Sequence, residues 1–358
     1  MLSKRIKQIH ANLNESFPSL CRIAIALYDE NTDTLKTFTH STLGTAPVTY
    51  YSSKLSDSES LSLLAITKEI RIIDDISKIP SNKEHTRLIK AAKYRSSLTC
   101  PIFYNDHLLG FLFMNAKEVS YFSPFIIKQL QIFIQLVSTL LIAETMPVKM
   151  LRGAIATAQE FSRIKDEETG EHLSRMSHYA RLITLDIGHK YGLNDQAVEY
   201  IFQFAPLHDV GKIGIPDAVM LKHGQLNDTE IAVIRKHVLI GGRIIDIMIE
   251  KFDLGGMDHV QLLKNIVLYH HERYDGSGYP AGLKGELIPI ETRIITTADV
   301  FDALTSKRPY KERWSNSKAF AYLQEHKGSM FDPDCVDALL SNKEQIEQIQ
   351  KRFSNPDC

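Results

Sequence analysis

Two dipeptides hold most of the chemistry in this sequence: His208-Asp209 and His270-His271. The first sets an imidazole beside a carboxylate and the second sets two imidazoles side by side. Adjacent histidines serve a hydrophobic core poorly, because each ring needs its own polar partners. A divalent cation satisfies both at once. Glu168, His172, His237 and Asp299 extend the set to eight nitrogen and oxygen donors without a thiolate. That donor chemistry suits iron, manganese or zinc in a hydrolytic centre better than a structural zinc finger. Glu168 and His172 stand four apart, so a helix would turn both to one side. His208 and Asp209 would point about 100° apart on a helix, and both still lean into one cavity.

These donors need a scaffold, and from about residue 150 onward the periodicity is helical: 151–163, 171–191, 195–208, 228–251, 259–271, 291–305 and 316–326. The segment Asp275-Gly276-Ser277-Gly278-Tyr279-Pro280 has loop chemistry directly after two candidate ligands. The first part of the chain reads differently. Strand-like runs at 21–28, 34–40, 96–104 and 107–116 alternate with helical spacing at 57–68 and 83–93, and Asn105-Asp106 marks a hairpin. The order β-β-α-β-α-β-β-α implies an α+β sheet domain.

A helix is expected from Ser123-Pro124, with an N-cap residue before proline. Ile126, Leu130, Phe133, Val137 and Leu140 form a coiled-coil seam along it, and Ile127, Ile134 and Leu141 a second stripe. One reading packs this helix on its own sheet; the reading adopted makes 123–145 a homodimer interface. Pro147 is expected to break or kink it.

The 358 residues allow two or three domains. A formal net charge of −1 gives no bulk attraction for nucleic acid or anionic lipid. Cys21, Cys100, Cys335 and Cys358 are scattered without a CxxC, as reduced thiols in a cytoplasm would be. The N-terminus lacks a signal-peptide core, and Lys128, Gln129, Gln131 and Gln135 interrupt the apolar stretch 125–143. The expectation is therefore a cytoplasmic protein with no membrane span and no nucleic-acid partner.

Two resemblances sharpen this outline. Residues 15–145, with LLGFLFMNA ahead of the apolar helix, resemble a GAF domain, with a PAS-like domain as the near rival. No cyclic-nucleotide motif is present, so no ligand follows. HDVGKIGIPD (208–217), His237, HHERYDGSGYP (270–280) and TTADVFDALTSKRPYK (296–311) resemble the HD-GYP family, with EETGEHLSRMSHYARLI (167–183) as its first motif. Those proteins are cyclic di-GMP phosphodiesterases among the metal-dependent HD hydrolases. The resemblance implies a multidomain chain: an α+β GAF-like sensor and dimerisation domain at 1–145, an all-α HD-type bundle at 146–340, and a polar tail at 341–358.

The same resemblance implies that His172, His208, Asp209, His237, His270, His271 and Asp299 bind metal, with Glu168 adding a third ion. It implies two or three divalent ions, iron first and manganese next. Asp209 and Lys212 would be catalytic. Lys212, Arg308 and Lys311 would meet substrate phosphate, and Gly278, Tyr279 and Pro280 would shape the substrate rim. The implied reaction is hydrolysis of cyclic di-GMP to pGpG and on to GMP, with a diguanylate cyclase as a further partner class. Two alternatives stay open: a catalytically weak cyclic di-GMP receptor, or an HD hydrolase for another cyclic dinucleotide or nucleotide. Val238 and Lys222-His223-Gly224 depart from family usage without touching a donor atom. Asp302 is expected to brace the site through hydrogen bonds.

Overall fold

The computed structural model describes residues 2–162, 170–222, 224–255, 259–306 and 313–353. The chain divides into two compact units, 1–146 and 147–358.

The first unit is built on a six-stranded antiparallel sheet in the order β3-β2-β1-β6-β5-β4. Helix α1 (Leu2–Ser16) precedes β1 (Leu20–Asp29) and β2 (Thr34–Thr42). Then come β3 (Ser52–Lys54), α2 (Glu59–Thr67), β4 (Arg71–Ile73), α3 (Glu84–Ala91), β5 (Ser96–Tyr104) and β6 (His107–Ala116). This is the expected α+β sheet domain. The four long strands fall on their strand-like runs, and β4 lies where the expected order puts a strand between two helices; α1 and the short β3 lie outside that order. Three residues without a clear alternation leave too little signal for a strand. Asn105 and Asp106 both have positive φ, 47° and 64°, as a two-residue type I′ hairpin turn requires. Gly110 (φ 156°) carries β6 past β1 so closely that a Cβ would lie 2.0 Å from the Ala26 carbonyl oxygen.

Helix α4 (Pro124–Ser162) contains Pro147 in its interior, so the expected break is absent. Proline there removes one N–H bond, while its fixed φ is itself helical. The expected seam is corrected in part: Leu130, Val137 and Leu141 are fully buried within the chain. The large apolar residues left exposed on α4 are Phe125, Ile132, Leu136 and Met150, at 69%, 68%, 44% and 61%. By length and composition Pro124–Ile155 is also apolar enough to cross a bilayer, with a mean hydropathy of 1.8.

The second unit is helical among the described residues: α5 (Gly170–Ile187), α6 (Asp195–Phe204), α7 (Asp217–Met220), α8 (Asp228–Ile234), α9 (His237–Lys251), α10 (Val260–Tyr269), α11 (Ile290–Thr305), α12 (Asn316–Glu325), α13 (Pro333–Ser341) and α14 (Lys343–Arg352). Its core helices are α5 and α11. Met176, Tyr179, Ala180 and Ile183 on α5, and Ile294, Ile295, Ala298 and Phe301 on α11, are almost wholly buried at helical spacing. Tyr179 and Phe301 meet edge to face at 5.2 Å.

Two expected helices are divided. The run 195–208 stops being α-helical at Phe204, and 3₁₀ turns at Ala205–Leu207 and Val210–Gly214 flank His208-Asp209. The run 228–251 breaks between Ile234 and His237. The tail expected after residue 340 includes α14, whose Ile346 is buried; the Phe353 carbonyl accepts from Arg175.

Candidate metal centre

Several donors sit where helical regularity in the second unit breaks down, and two lie within helices. His172 lies on the buried face of α5, and Asp299 sits on α11 one residue past Ala298. His208 and Asp209 occupy the irregular joint after α6, so their divergence comes from that turn rather than from a helix. His237 opens α9 just past the break from α8. His270 ends α10, and His271 follows it.

Backbone carbonyls fix three of the rings. His208 Nδ1 lies 2.9 Å from the Ala205 oxygen, His237 Nδ1 2.8 Å from Ile234, and His270 Nδ1 3.1 Å from Ile266. A carbonyl can only accept, so each Nδ1 carries the proton and donates, and each Nε2 presents a lone pair in the neutral ring. His172 donates Nδ1–H to Asp302 Oδ2 at 2.7 Å. Asp302 is fully buried and also accepts from Arg175 Nε at 2.8 Å and Ser306 Oγ at 2.8 Å. This is the bracing expected of it. Burial lowers the pKa of His270 despite the neighbouring Asp209, and burial with His270 nearby takes His271 down to about 2.

The acceptors then converge. Asp209 Oδ2 lies 3.1 Å from His208 Nε2, while its Oδ1 lies 3.1 Å from His237 Nε2 and 3.5 Å from His270 Nε2. His237 Nε2 and His270 Nε2 are 3.3 Å apart. Burial opposes ionisation of Asp209, but Lys212 and then His208 hold its carboxyl well below the usual range. Lone pairs facing lone pairs at these distances call for cations between them, and divalent ions match this donor set. Two clusters result: Asp209, His237, His270 and His271 in one, and His172, His208 and Asp299 in the other. The oxygens of Asp209 face one cluster each.

The structure thus brings together seven of the eight candidate ligands. Glu168, Arg308 and Lys311 lie outside the described residues. Lys212 Nζ sits 2.9 Å from Asp209 Oδ2. Tyr279 stacks on His271 with ring centroids 4.8 Å apart, and the exposed Arg235 lies over the Tyr279 ring at 5.1 Å.

Sequence reading passed over three supports. Arg235 carries no motif around it. Glu272, 2% exposed, accepts from the backbone N–H groups of Ala281 at 2.7 Å and Leu283 at 3.0 Å, which ties down the loop holding Gly278, Tyr279 and Pro280. Gly211 lets the His208-Asp209 joint touch α9: a Cβ there would lie 1.9 Å from the His237 carbonyl oxygen. The small pair Gly211 and Gly241, facing one another across two helical segments, was the available signal for the third.

Residues 164–335 match the HD domain family. The helical second unit contains an HD domain. The chain is 48% identical over 190 residues to the cyclic di-GMP phosphodiesterase response regulator RpfG of Xanthomonas campestris pv. campestris, covering 53% of this chain and 47% of that one. It is 39% identical over 193 residues to the 3'3'-cGAMP-specific phosphodiesterase 2 of Vibrio cholerae, covering 54% and 34%. The chain spans about half the length of the curated relatives it matches. The first unit is similar to the GAF domain of an Acinetobacter phosphoenolpyruvate-protein phosphotransferase, at 20% identity and a TM-score of 0.32, over 40% of this chain and 84% of that one. An HD domain binds divalent metal, and the donor clusters fit that chemistry.

Proposed function

We propose that this protein is a metal-dependent phosphodiesterase that hydrolyses cyclic di-GMP to pGpG and on to GMP. The observation that carries the reading is the placement of Asp209, with one carboxylate oxygen toward each cluster of inward-facing imidazoles. His172, His208, Asp209 and Asp299 would hold one ion, and Asp209, His237, His270 and His271 another. Bound ions would supply an activated water and Lewis acidity toward the phosphoryl oxygens. The chain's own part is positioning. Asp302 and the backbone carbonyls orient the imidazoles. Lys212 supplies positive charge beside Asp209, where developing phosphoryl charge would be stabilised. Tyr279, packed on His271, sets the loop of Gly278 and Pro280 against the ligands. Arg308 and Lys311 would add phosphate contacts.

The ions are iron first and manganese next, because imidazole mixed with carboxylate suits both. Glu168 would hold a third. Removing it by Glu168→Ala should lower the loaded stoichiometry from three to two; two ions in the fully loaded wild type would refute the trinuclear reading. The protein works in the cytoplasm as a homodimer through α4, with Phe125, Ile132 and Leu136 as the exposed pairing stripe, and the first unit governs turnover. A diguanylate cyclase is a further partner.

The relative named for 3'3'-cGAMP favours a second reading, hydrolysis of another cyclic dinucleotide by the same centre. Anaerobically purified protein of measured metal content, assayed on cyclic di-GMP and 3'3'-cGAMP, separates them. Turnover of cyclic di-GMP alone supports the main reading, and preference for 3'3'-cGAMP supports the second. Binding of cyclic di-GMP with hydrolysis of neither, while ions are bound, makes the protein a receptor.

A further inference from the structure

The first unit encloses a cavity of about 710 Å³, lined in part by β1, β4 and α3. Its walls are apolar where Val48, Ile76, Ile89 and Phe113 face it, and three rings stand in series along it. Tyr51 and His85 have centroids 5.7 Å apart, His85 and Phe113 6.3 Å. Such a shelf suits a flat apolar body.

The polar part of the lining has an uncommon charge. Arg22 is buried and Arg71 partly so, whereas the other charged lining residues, Lys54, Lys83, Asp57 and Glu84, are exposed. Arg22 Nη1 donates to the neutral Asn115 Oδ1 at 3.1 Å. Arg71 donates Nη1–H to Ser60 Oγ at 2.6 Å and Nη2–H to Thr99 Oγ1 at 3.0 Å, both hydroxyls. Its Nε is buried without a hydrogen-bond partner. Hydroxyls orient a guanidinium without neutralising it, and burial lowers the pKa of Arg71. Burial, with Arg22 and Arg71 nearby, takes His85 down to about 4, so it is neutral near pH 7 and adds no charge of its own.

We propose that this cavity binds a small organic anion, a planar apolar body bearing a carboxylate or phosphate, with its charge on Arg71 and Arg22. Planar guanidinium forks suit both head groups, and a desolvated site strengthens the pairing. Nothing in the proposed hydrolysis requires this ligand, so the two readings stand or fall separately.

Calorimetric titration of the full chain with benzoate, phenyl phosphate and benzamide tests it. A chelator is present throughout, so that anions held by metal in the HD domain do not contribute. Either anion should bind the wild type, the uncharged isostere should not, and Arg71→Gln should weaken binding at least tenfold, with Arg71→Lys recovering part of it. Circular dichroism confirms that the variants are folded. Tighter binding of phenyl phosphate than benzoate identifies a phosphate ligand, and the reverse a carboxylate. The proposal is overturned if neither anion binds the wild type, if benzamide binds as well as benzoate, or if folded Arg71→Gln binds like the wild type.

Discussion

The two units concentrate polar groups in opposite ways. In the HD domain, consecutive residues supply the centre: His208 with Asp209 and His270 with His271, each pair at a place where a helix ends. In the sheet unit, Arg22 on β1 and Arg71 on β4 share a cavity only because the strand order β3-β2-β1-β6-β5-β4 folds distant segments over one space. A dense site leaves a motif in the sequence. A dispersed site leaves two arginines in unremarked strands. The contrast teaches that motif density measures how locally a site is built, rather than whether a site exists.

The largest expected effect tests the dense site. Asp209→Ala removes the carboxylate between the two clusters, and turnover of cyclic di-GMP should fall on the order of a thousandfold or more. Elemental analysis should show ions lost while the far-ultraviolet spectrum keeps its helical form. Activity near wild type with ions retained would sink the assignment. Next, Asp302→Asn keeps shape but removes the charge that orients His172, and metal affinity should drop by roughly 10–100-fold. A chelator competition titration reads this directly, and unchanged affinity would make Asp302 merely a core residue.

Two glycines give a matched pair across the units. Gly211→Ala and Gly110→Ala each force a Cβ against a carbonyl, at 1.9 and 2.0 Å. Overpacking of this kind costs about 1–3 kcal/mol, so both should lower the denaturation midpoint. Only Gly211→Ala should also deplete metal, because its clash is with His237. Equal metal loss in both would break the comparison. The smallest effect concerns the loop. Glu272→Gln replaces one of two accepting oxygens with a donor, so KM should rise a fewfold with kcat little changed; a fall in kcat alone would assign Glu272 to the chemistry instead.

Much of this was legible beforehand, for identifiable reasons. The long strands of the sheet are rich in apolar, β-branched and aromatic residues, and Asn105-Asp106 announces its own turn. The ligands announced themselves because histidine dyads have little other use. Their supports did not. Glu272 stands among charged residues, and only the closed loop reveals what its oxygens accept. Pro147 looked like a helix breaker, since the cost of one lost hydrogen bond is visible in sequence and tertiary compensation is not. The joint at His208-Asp209 read as helix because its apolar spacing continues through the 3₁₀ turns, where i and i+3 neighbours coincide closely with α-helical ones.

The carbonyl anchors on His208, His237 and His270 have a consequence for the supply of ions. Rings already oriented by their own backbone need no ion to shape them, so the HD domain is a socket rather than a fold that condenses around its cargo. A chelator should empty it without unfolding it, and the next ion available should fill it. Such a socket passes the state of its surroundings on to catalysis: iron-filled molecules would feel oxygen, manganese-filled ones would not.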